Sequence, residues 1–171
     1  MTPWKGPAAA LARRITRFID ASIAGEPSED FERLALDVHA WQSTSDPLLR
    51  ALTPTLATDW RSIPAVPVAL FKHLRVGTAT EGPVFRTSGT TGGGRGEHQL
   101  RSAALYDHGS LAWATACLPA TPADVVALLV HPAEHPDSSL SHMVALFSAW
   151  SPAASASWHQ TPQGLDLAGL N

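Results

Sequence analysis

The segment from Arg86 to His98 concentrates the residue types that bind charged ligands. It reads RTSGTTGGGRGEH and holds five glycines and four hydroxyl residues. Glycine lets the backbone adopt positive φ and approach a ligand closely, and successive N–H groups then form a concave surface that favours an anion. The hydroxyls add donors, and Arg95 adds a guanidinium suited to phosphate oxygens. We therefore predict that this segment, the phosphate loop (residues 86–98), binds a polyphosphate. The predicted ligating residues are Thr87, Ser88, Gly89, Thr90, Thr91, Gly92, Gly93, Gly94 and Arg95.

Two common phosphate-binding motifs do not fit the phosphate loop. The NTPase motif G-x-x-x-x-G-K-[ST] needs Lys-Ser/Thr after its second glycine, whereas Gly94 is followed here by Arg95-Gly96. The dinucleotide motif G-x-G-x-x-G needs a helix that opens within the glycines, and the sequence gives no helix signal there. A flexible Gly/Ser/Thr linker is the alternative. Linkers seldom lie between two strand-like runs, and such runs precede (83–86) and follow (97–101) these glycines.

The order Thr-Ser-Gly-Thr-Thr-Gly, followed by glycine and a basic residue, resembles the phosphate-binding signature of adenylate-forming enzymes. An upstream segment, Ile63–Lys72 (IPAVPVALFK), and a downstream segment, Ser138–Met143 (SSLSHM), strengthen the likeness. Together they resemble the LuxE-type acyl-protein synthetase family, which is related to the phenylacetate–CoA ligases of the same superfamily. The resemblance runs from about Trp60 to Met143, roughly half of the chain.

The resemblance implies a function. Members of the family activate a fatty acid with ATP to an acyl-adenylate, and the acyl group then moves to a cysteine of the same protein before it is passed on for reduction. The implied ligands are thus ATP, Mg²⁺ and a fatty acid or other carboxylate, and the implied partner is an acyl-transferase or reductase. Mg²⁺ would arrive with ATP and need few protein ligands. Two alternatives stay open: an acyl- or aryl-CoA ligase of the phenylacetate type, and a non-catalytic remnant that binds nucleotide.

Against the family pattern, this chain of 171 residues reads as an amino-terminal fragment or a truncated paralogue. Adenylate-forming enzymes are about twice as long or more, and their later motifs, including the adenosine-binding segment, the hinge and a late lysine, have no counterpart here. Cys117 is the sole cysteine and lies mid-chain, whereas the family's acyl acceptor lies near the end. Its apolar neighbours predict a buried thiol. We therefore assign no catalytic residue from the sequence.

A second polar segment follows a predicted strand and is a candidate for substrate binding. It reads HPAEHPDSS from His131, and in the superfamily the residues after the corresponding strand border the acyl and adenylate pocket. Ligands collect beyond the carboxyl ends of strands in open α/β sheets, so we expect His131, His135, Asp137 and Ser138 to line that pocket. The alternative is a polar loop with helix-capping serines. Because prolines interrupt the His-x-x-x-His spacing, the two histidines cannot share a helix face, and we predict no zinc site.

Composition and charge narrow the class of protein. The formal net charge is −3 and 44% of residues are hydrophobic, which argues against a nucleic-acid or membrane surface. A single cysteine excludes an internal disulfide and agrees with a reducing compartment. No run approaches the ~18 apolar residues of a membrane span. We expect a cytoplasmic protein.

The periodicity of apolar residues predicts an α/β fold in a single domain. Residues 1–58 read as a helical prelude, with apolar positions three and four apart from Leu11 onwards, Ser28 as the cap of a second helix, and Asp46 as the cap of a third. Residues 59–171 read as the α/β part, with a mixed sheet and flanking helices as in part of an adenylate-forming large domain. The run 124–131 predicts a buried strand.

Three further elements are expected in the α/β part. Ser102 caps a helix that extends to about residue 118, and Ser138 or Ser139 caps another that extends to Trp150. Weak alternation over 154–160 predicts an additional strand.

Overall fold

The structure is a computed structural model that describes residues 4–26, 29–87, 94–118, 124–150, 156–161, 163–166 and 168–170. These residues form two compact units, Met1–Tyr106 and Asp107–Asn171. The expected boundary after residue 58 falls inside the first unit, and a single domain stays a prediction. The helices are α1 (Gly6–Ile23), α2 (Phe31–Ser45), α3 (Pro47–Leu52), α4 (Ala104–Cys117) and α5 (Ser139–Trp150). The strands are β1 (Val84–Arg86), β2 (Glu97–Gln99), β3 (Val125–Val130), β4 (Ala156–Thr161) and β5 (Gly164–Leu165), and 3₁₀ helices cover Trp60–Ser62, Val68–Lys72 and Ala168–Leu170.

The helical prelude is confirmed as α1, α2 and α3. Helix α1 packs on α2 and buries the small side chains Ala9 and Ala12, which permit close approach of the two helices. An ion-pair cluster also joins them: the Arg14 guanidinium donates to the carboxylate of Glu29 and, at 2.8 Å, to that of Asp37. The hydrogen bond from Arg14 lowers the pKa of Asp37, because it stabilises the ionised carboxylate.

The cap of α2 differs from the sequence expectation. Asp30 is the N-cap residue, and its side chain accepts a hydrogen bond from the Glu32 N–H at 2.9 Å. Ser28, the predicted cap, lies outside the described residues. Aspartate and serine are equally good caps, so their order in the chain does not fix which of them meets the first turn of the helix.

A buried polar chain fastens α2 to α3. The Ala57 N–H donates to Nε2 of His39 at 3.5 Å, and Nδ1 of the same ring lies 3.5 Å from the Ser43 hydroxyl oxygen. The Ser43 hydroxyl lies 3.0 Å from the Thr53 hydroxyl, which donates to the carbonyl of Leu49. His39, Ser43 and Thr53 are all buried, and this chain of contacts satisfies their polar atoms.

Asp46 connects the prelude to the segment that precedes the phosphate loop. As predicted, it caps α3, accepting from the Leu48 and Leu49 N–H groups at 2.8 and 3.3 Å. Its second carboxylate oxygen accepts from the Gly77 N–H at 2.6 Å. The side chain is buried, with 6% exposed, so one carboxylate holds both a helix start and a distant turn.

The two strand-like runs expected around the glycines are β1 and β2, and the two strands pair as an antiparallel hairpin. Its register pairs Val84 with Gln99, and Phe85, which is buried, packs on the Tyr106 ring. Just before the hairpin, Gly82 adopts a φ of +106°, and a Cβ at this position would overlap the carbonyl oxygen of Leu100. Only glycine fits there.

The second unit contains a mixed sheet in the order β3-β4-β5. Strands β3 and β4 are parallel and joined through α5, which packs on β3, and β5 is antiparallel to β4. The α/β class, the strand near 154–160 and the caps by Ser102 and Ser138 are thereby confirmed.

Two burial predictions in this unit are wrong. Strand β3 buries Ala127 but leaves Val126 and Leu128 more than half exposed, so it is not covered on both faces. Cys117 is exposed as well, because it stands in the last turn of α4 on a side that no described residue covers.

Candidate functional site

The ends of the phosphate loop are fastened to each other. The Thr87 N–H donates to the Gly96 carbonyl at 3.0 Å, and the Gly96 N–H donates to the Thr87 hydroxyl oxygen at 2.9 Å. Nε of Arg95 also donates to the Thr87 carbonyl at 2.7 Å. These contacts extend the hairpin and hold both ends of the glycine-rich connection in place. The predicted ligands Ser88, Gly89, Thr90, Thr91, Gly92 and Gly93 lie outside the described residues.

We call the contacts among Thr87, Arg95 and Gly96 the neck of the phosphate loop. Of the predicted ligands that the structure describes, Thr87 and Arg95 form this neck. The Thr87 backbone N–H is used within the hairpin, whereas its hydroxyl accepts there and keeps its own proton for donation. Arg95 uses Nε, and a guanidinium carries four further N–H donors on its two terminal nitrogens. Gly94 is the third described ligand, and a side chain at this position would meet no atom within 4 Å.

The neck packs tightly on the 3₁₀ helix Val68–Lys72. A Cβ on Gly96 would lie 3.3 Å from the Phe71 carbonyl oxygen, so glycine permits the backbones to approach. The Phe71 and His98 rings stack with centroids 4.2 Å apart and an angle of 31°. His98 therefore has a packing role in β2.

A cleft of about 260 Å³ opens between the 3₁₀ helix, the residues after it, and β2. Lys72, Arg75 and Arg95 line it, with Glu97 as its one acidic residue. Nε of Arg86 lies 2.8 Å from the Glu97 carboxylate, which offsets that negative charge. We call this depression the basic cleft. The described residues that line it are Phe71, Lys72, His73, Leu74, Arg75, Arg95, Glu97 and Gln99.

The ligands predicted from the sequence include neither Lys72 nor Arg75. Lys72 ends the 3₁₀ helix and Arg75 follows it, so no helical spacing signals that both line one cleft. Arg75 is also held in place, since its guanidinium donates to the Ala79 carbonyl. That these residues meet Arg95 depends on the packing of Gly96 against Phe71, which no local pattern reveals.

An apolar groove lies on the other side of Gln99. It consists of two adjoining depressions of about 330 and 160 Å³ that share Trp4, Trp41 and Leu105. Buried Nε1 of Trp4 has no hydrogen-bond partner among the described residues, and Arg101 lies above the same indole, 6.0 Å from its ring centre. Gln99 lines both the basic cleft and this groove, and its amide donates to the Gly82 carbonyl at 2.8 Å.

The predicted substrate-binding residues come together in one turn after β3. Nδ1 of His131 accepts from the Ala133 N–H at 3.1 Å, and its ring lies edge-on to Trp158. Nε2 of His135 lies 3.2 Å from the carboxylate of Asp137. Ser138 accepts from the first turn of α5. These contacts stabilise the turn and the start of the helix, and the residues belong to the second unit, whereas the phosphate loop belongs to the first.

Sequence reasoning also missed an Asp–His pair in the second unit. Nε2 of His142 lies 2.7 Å from Oδ1 of Asp107, joining α5 to α4, and both side chains are about one-third exposed. The residues are 35 positions apart, so no sequence motif signals the contact. The pair fixes the orientation of the imidazole ring.

The residues of the basic cleft are compatible with Mg²⁺ that enters already bound to the phosphates of a nucleotide. Glu97 is its one carboxylate and is engaged by Arg86, so the protein would supply few Mg²⁺ ligands, and phosphates and water would supply the rest. Over the described ranges, no three His, Cys, Asp or Glu residues are grouped so as to hold a metal ion. The helices in those ranges are each too short or too polar to cross a membrane.

Comparisons with protein-family models, with curated proteins and with solved structures give no match to this chain. Its function is therefore inferred from its own residues and their geometry.

Proposed function

We propose that this chain binds ATP through the phosphate loop and serves the activation of a fatty acid or other carboxylate to an acyl-adenylate. The observation that carries the proposal is the fastened neck of the loop beside the basic cleft. Arg95 belongs to both features: its Nε holds the neck, and its side chain lines the cleft. A loop whose ends are fixed loses less conformational freedom when it closes on phosphates.

The reaction needs positioning and charge neutralisation. A carboxylate oxygen of the acid attacks the α-phosphorus of ATP. The bond between that phosphorus and the oxygen that bridges the α- and β-phosphates breaks, and pyrophosphate leaves with the bonding electrons. Donors and cations that hold the β- and γ-phosphates stabilise the charge on this leaving group. Bound Mg²⁺ would supply further charge neutralisation. We assign the binding of the β- and γ-phosphates to residues Thr87 to Arg95.

The apolar groove supports a carboxylate with an apolar chain as the second substrate. Indole rings and Leu105 form its walls, and Arg101, which lines the same groove, offers a positive charge to the carboxylate of the acid. Because Gln99 lines both depressions, a chain in the groove and phosphates in the basic cleft approach each other at this residue. Sites of this kind combine apolar walls with a few placed polar groups.

The resemblance to LuxE-type acyl-protein synthetases supports a protein thiol as the acyl acceptor and an acyl-transferase or reductase as the partner. A phenylacetate-type ligase would use coenzyme A as acceptor, with the same adenylation half-reaction. An amino-terminal part of the adenylate-forming large domain agrees with the observed helical prelude and α/β elements. In the remaining alternative, the chain is a remnant that binds ATP at the same site but does not catalyse adenylation.

Exchange of labelled pyrophosphate into ATP, with and without a fatty acid, tests the proposal. We expect exchange that depends on the acid and falls at least about tenfold in Thr90→Ala and Arg95→Gln, since each loses a phosphate contact in a charge-assisted network. Arg13→Gln, which removes an exposed cation on α1, is the matched control and should match the wild type. ATP binding without exchange supports the remnant, whereas the absence of ATP binding refutes the proposal.

A further inference from the structure

We propose that Lys72 and Arg75 make the basic cleft a binding site for pyrophosphate, both as the terminal phosphates of bound ATP and as the released product. This inference rests on the proposed function and adds to it a second, independent point of attachment beyond the phosphate loop. It assigns a ligand to the cleft and names the two residues that hold it.

The first argument is position. Gly96 packs against the Phe71 carbonyl, so the neck of the phosphate loop and the 3₁₀ helix that ends at Lys72 are in van der Waals contact. Arg95, Lys72 and Arg75 line the same cleft. A phosphate chain that binds at Arg95 would therefore lie in one cleft with the other two cations.

The second argument is charge. Three cations line one cleft of about 260 Å³, and the carboxylate of Glu97 is offset by Arg86. An anion that carries several charges interacts more strongly with a cleft lined by several cations than a single carboxylate does. The volume lies below the 300–1,000 Å³ or so of pockets for whole drug-sized ligands and suits a compact polar group.

The third argument is preorganisation. The guanidinium of Arg75 donates from one terminal nitrogen to the Ala79 carbonyl, and Nε and the other terminal nitrogen keep three N–H donors. The following turn is held by the hydrogen bond from Gly77 to buried Asp46. Arg75 is thus placed before any ligand binds, which lowers the entropic cost of binding.

Calorimetric titration of this chain with inorganic pyrophosphate tests the inference. We expect Lys72→Gln and Arg75→Gln each to weaken binding by about tenfold, which is near the smallest effect expected when one charge-assisted hydrogen bond is lost. The double variant should weaken binding more. Lys72→Arg keeps the charge and should stay within about threefold of the wild type. Arg13→Gln/Arg17→Gln removes two exposed cations of α1 and is the control for net charge.

The outcomes separate this inference from the proposed function. If the double variant binds pyrophosphate as the charge control does, the assignment of the cleft is wrong, even when ATP still binds through the phosphate loop. If pyrophosphate binding depends on Lys72 and Arg75 while Thr90→Ala leaves ATP binding unchanged, the cleft assignment holds and the role of the loop is wrong. Circular dichroism of each variant verifies that it remains folded.

Discussion

Replacing Asp46 with alanine should destabilise the first unit more than the loss of an ordinary helix cap. The carboxylate caps α3 through two N–H groups and also accepts from Gly77 at 2.6 Å while almost wholly buried. A lost cap costs about 1 kcal/mol, and a buried hydrogen bond to a charged group contributes about 1.5–3 kcal/mol. We therefore expect a loss of about 2–4 kcal/mol in the free energy of unfolding.

Asp30→Ala is the matched control for this change. Asp30 caps α2 through one N–H group, is exposed and has no second role in the described structure, so its loss should cost about 1 kcal/mol. Asp46→Asn keeps one carbonyl oxygen for the cap but presents its amide either to Gly77 or to α3, and we expect it to fall between the two alanine variants.

Urea denaturation followed by circular dichroism measures these differences. The midpoint should move furthest for Asp46→Ala while the slope with denaturant stays constant, since a change in slope would indicate an altered unfolded state or loss of two-state behaviour. If Asp46→Ala costs no more than Asp30→Ala, the bond to Gly77 does not contribute as the geometry indicates. The reasoning that Asp46 places the turn after Arg75 would then be refuted.

Three further changes test other parts of the structure. Gly82→Ala should cost at least about 2 kcal/mol in thermal or urea unfolding, because φ is +106° and the added Cβ meets the Leu100 carbonyl; a neutral result would contradict the turn geometry. Gly96→Ala crowds the backbone of the 3₁₀ helix at 3.3 Å and should weaken pyrophosphate binding severalfold in calorimetry, whereas unchanged affinity would separate the neck from the cleft. Asp37→Asn should lower stability at pH 7 by up to about 1 kcal/mol. Because the hydrogen bond from Arg14 lowers the folded-state pKa of Asp37, the wild-type advantage should be present above about pH 4, the ordinary pKa of an aspartate, and shrink as the pH falls further; an advantage that stays constant as the pH is lowered through the acid range would contradict this linkage.

Local signals in the sequence predicted much of the fold. Asp46-Pro47 marks a helix start, because a capping carboxylate and a proline in the first turn both satisfy the exposed N–H groups there. The two extended runs around the glycines predicted the two strands that flank the loop, because alternation and flanking glycine act over a few residues. The cap at Ser138 follows from the same local chemistry.

Properties that depend on distant parts of the chain were not predictable. The exposure of Val126, Leu128 and Cys117 depends on what packs on β3 and α4, and an apolar run does not reveal whether a second layer covers it. The meeting of Lys72, Arg75 and Arg95 likewise depends on a backbone contact between segments some 20 residues apart. For the same reason the pairing of Asp107 with His142 leaves no trace in the spacing of motifs.

The most direct test of ATP binding by the phosphate loop is an NMR titration of ¹⁵N-labelled chain with MgATP. If the loop holds the nucleotide, the amide resonances of residues 88–94 shift most, together with those of Thr87 and Arg95, and the shifts saturate. The same titration of the Thr90→Ala variant should need a higher nucleotide concentration. Saturating shifts elsewhere in the chain, with the glycine amides unmoved, would show that the nucleotide binds at another site.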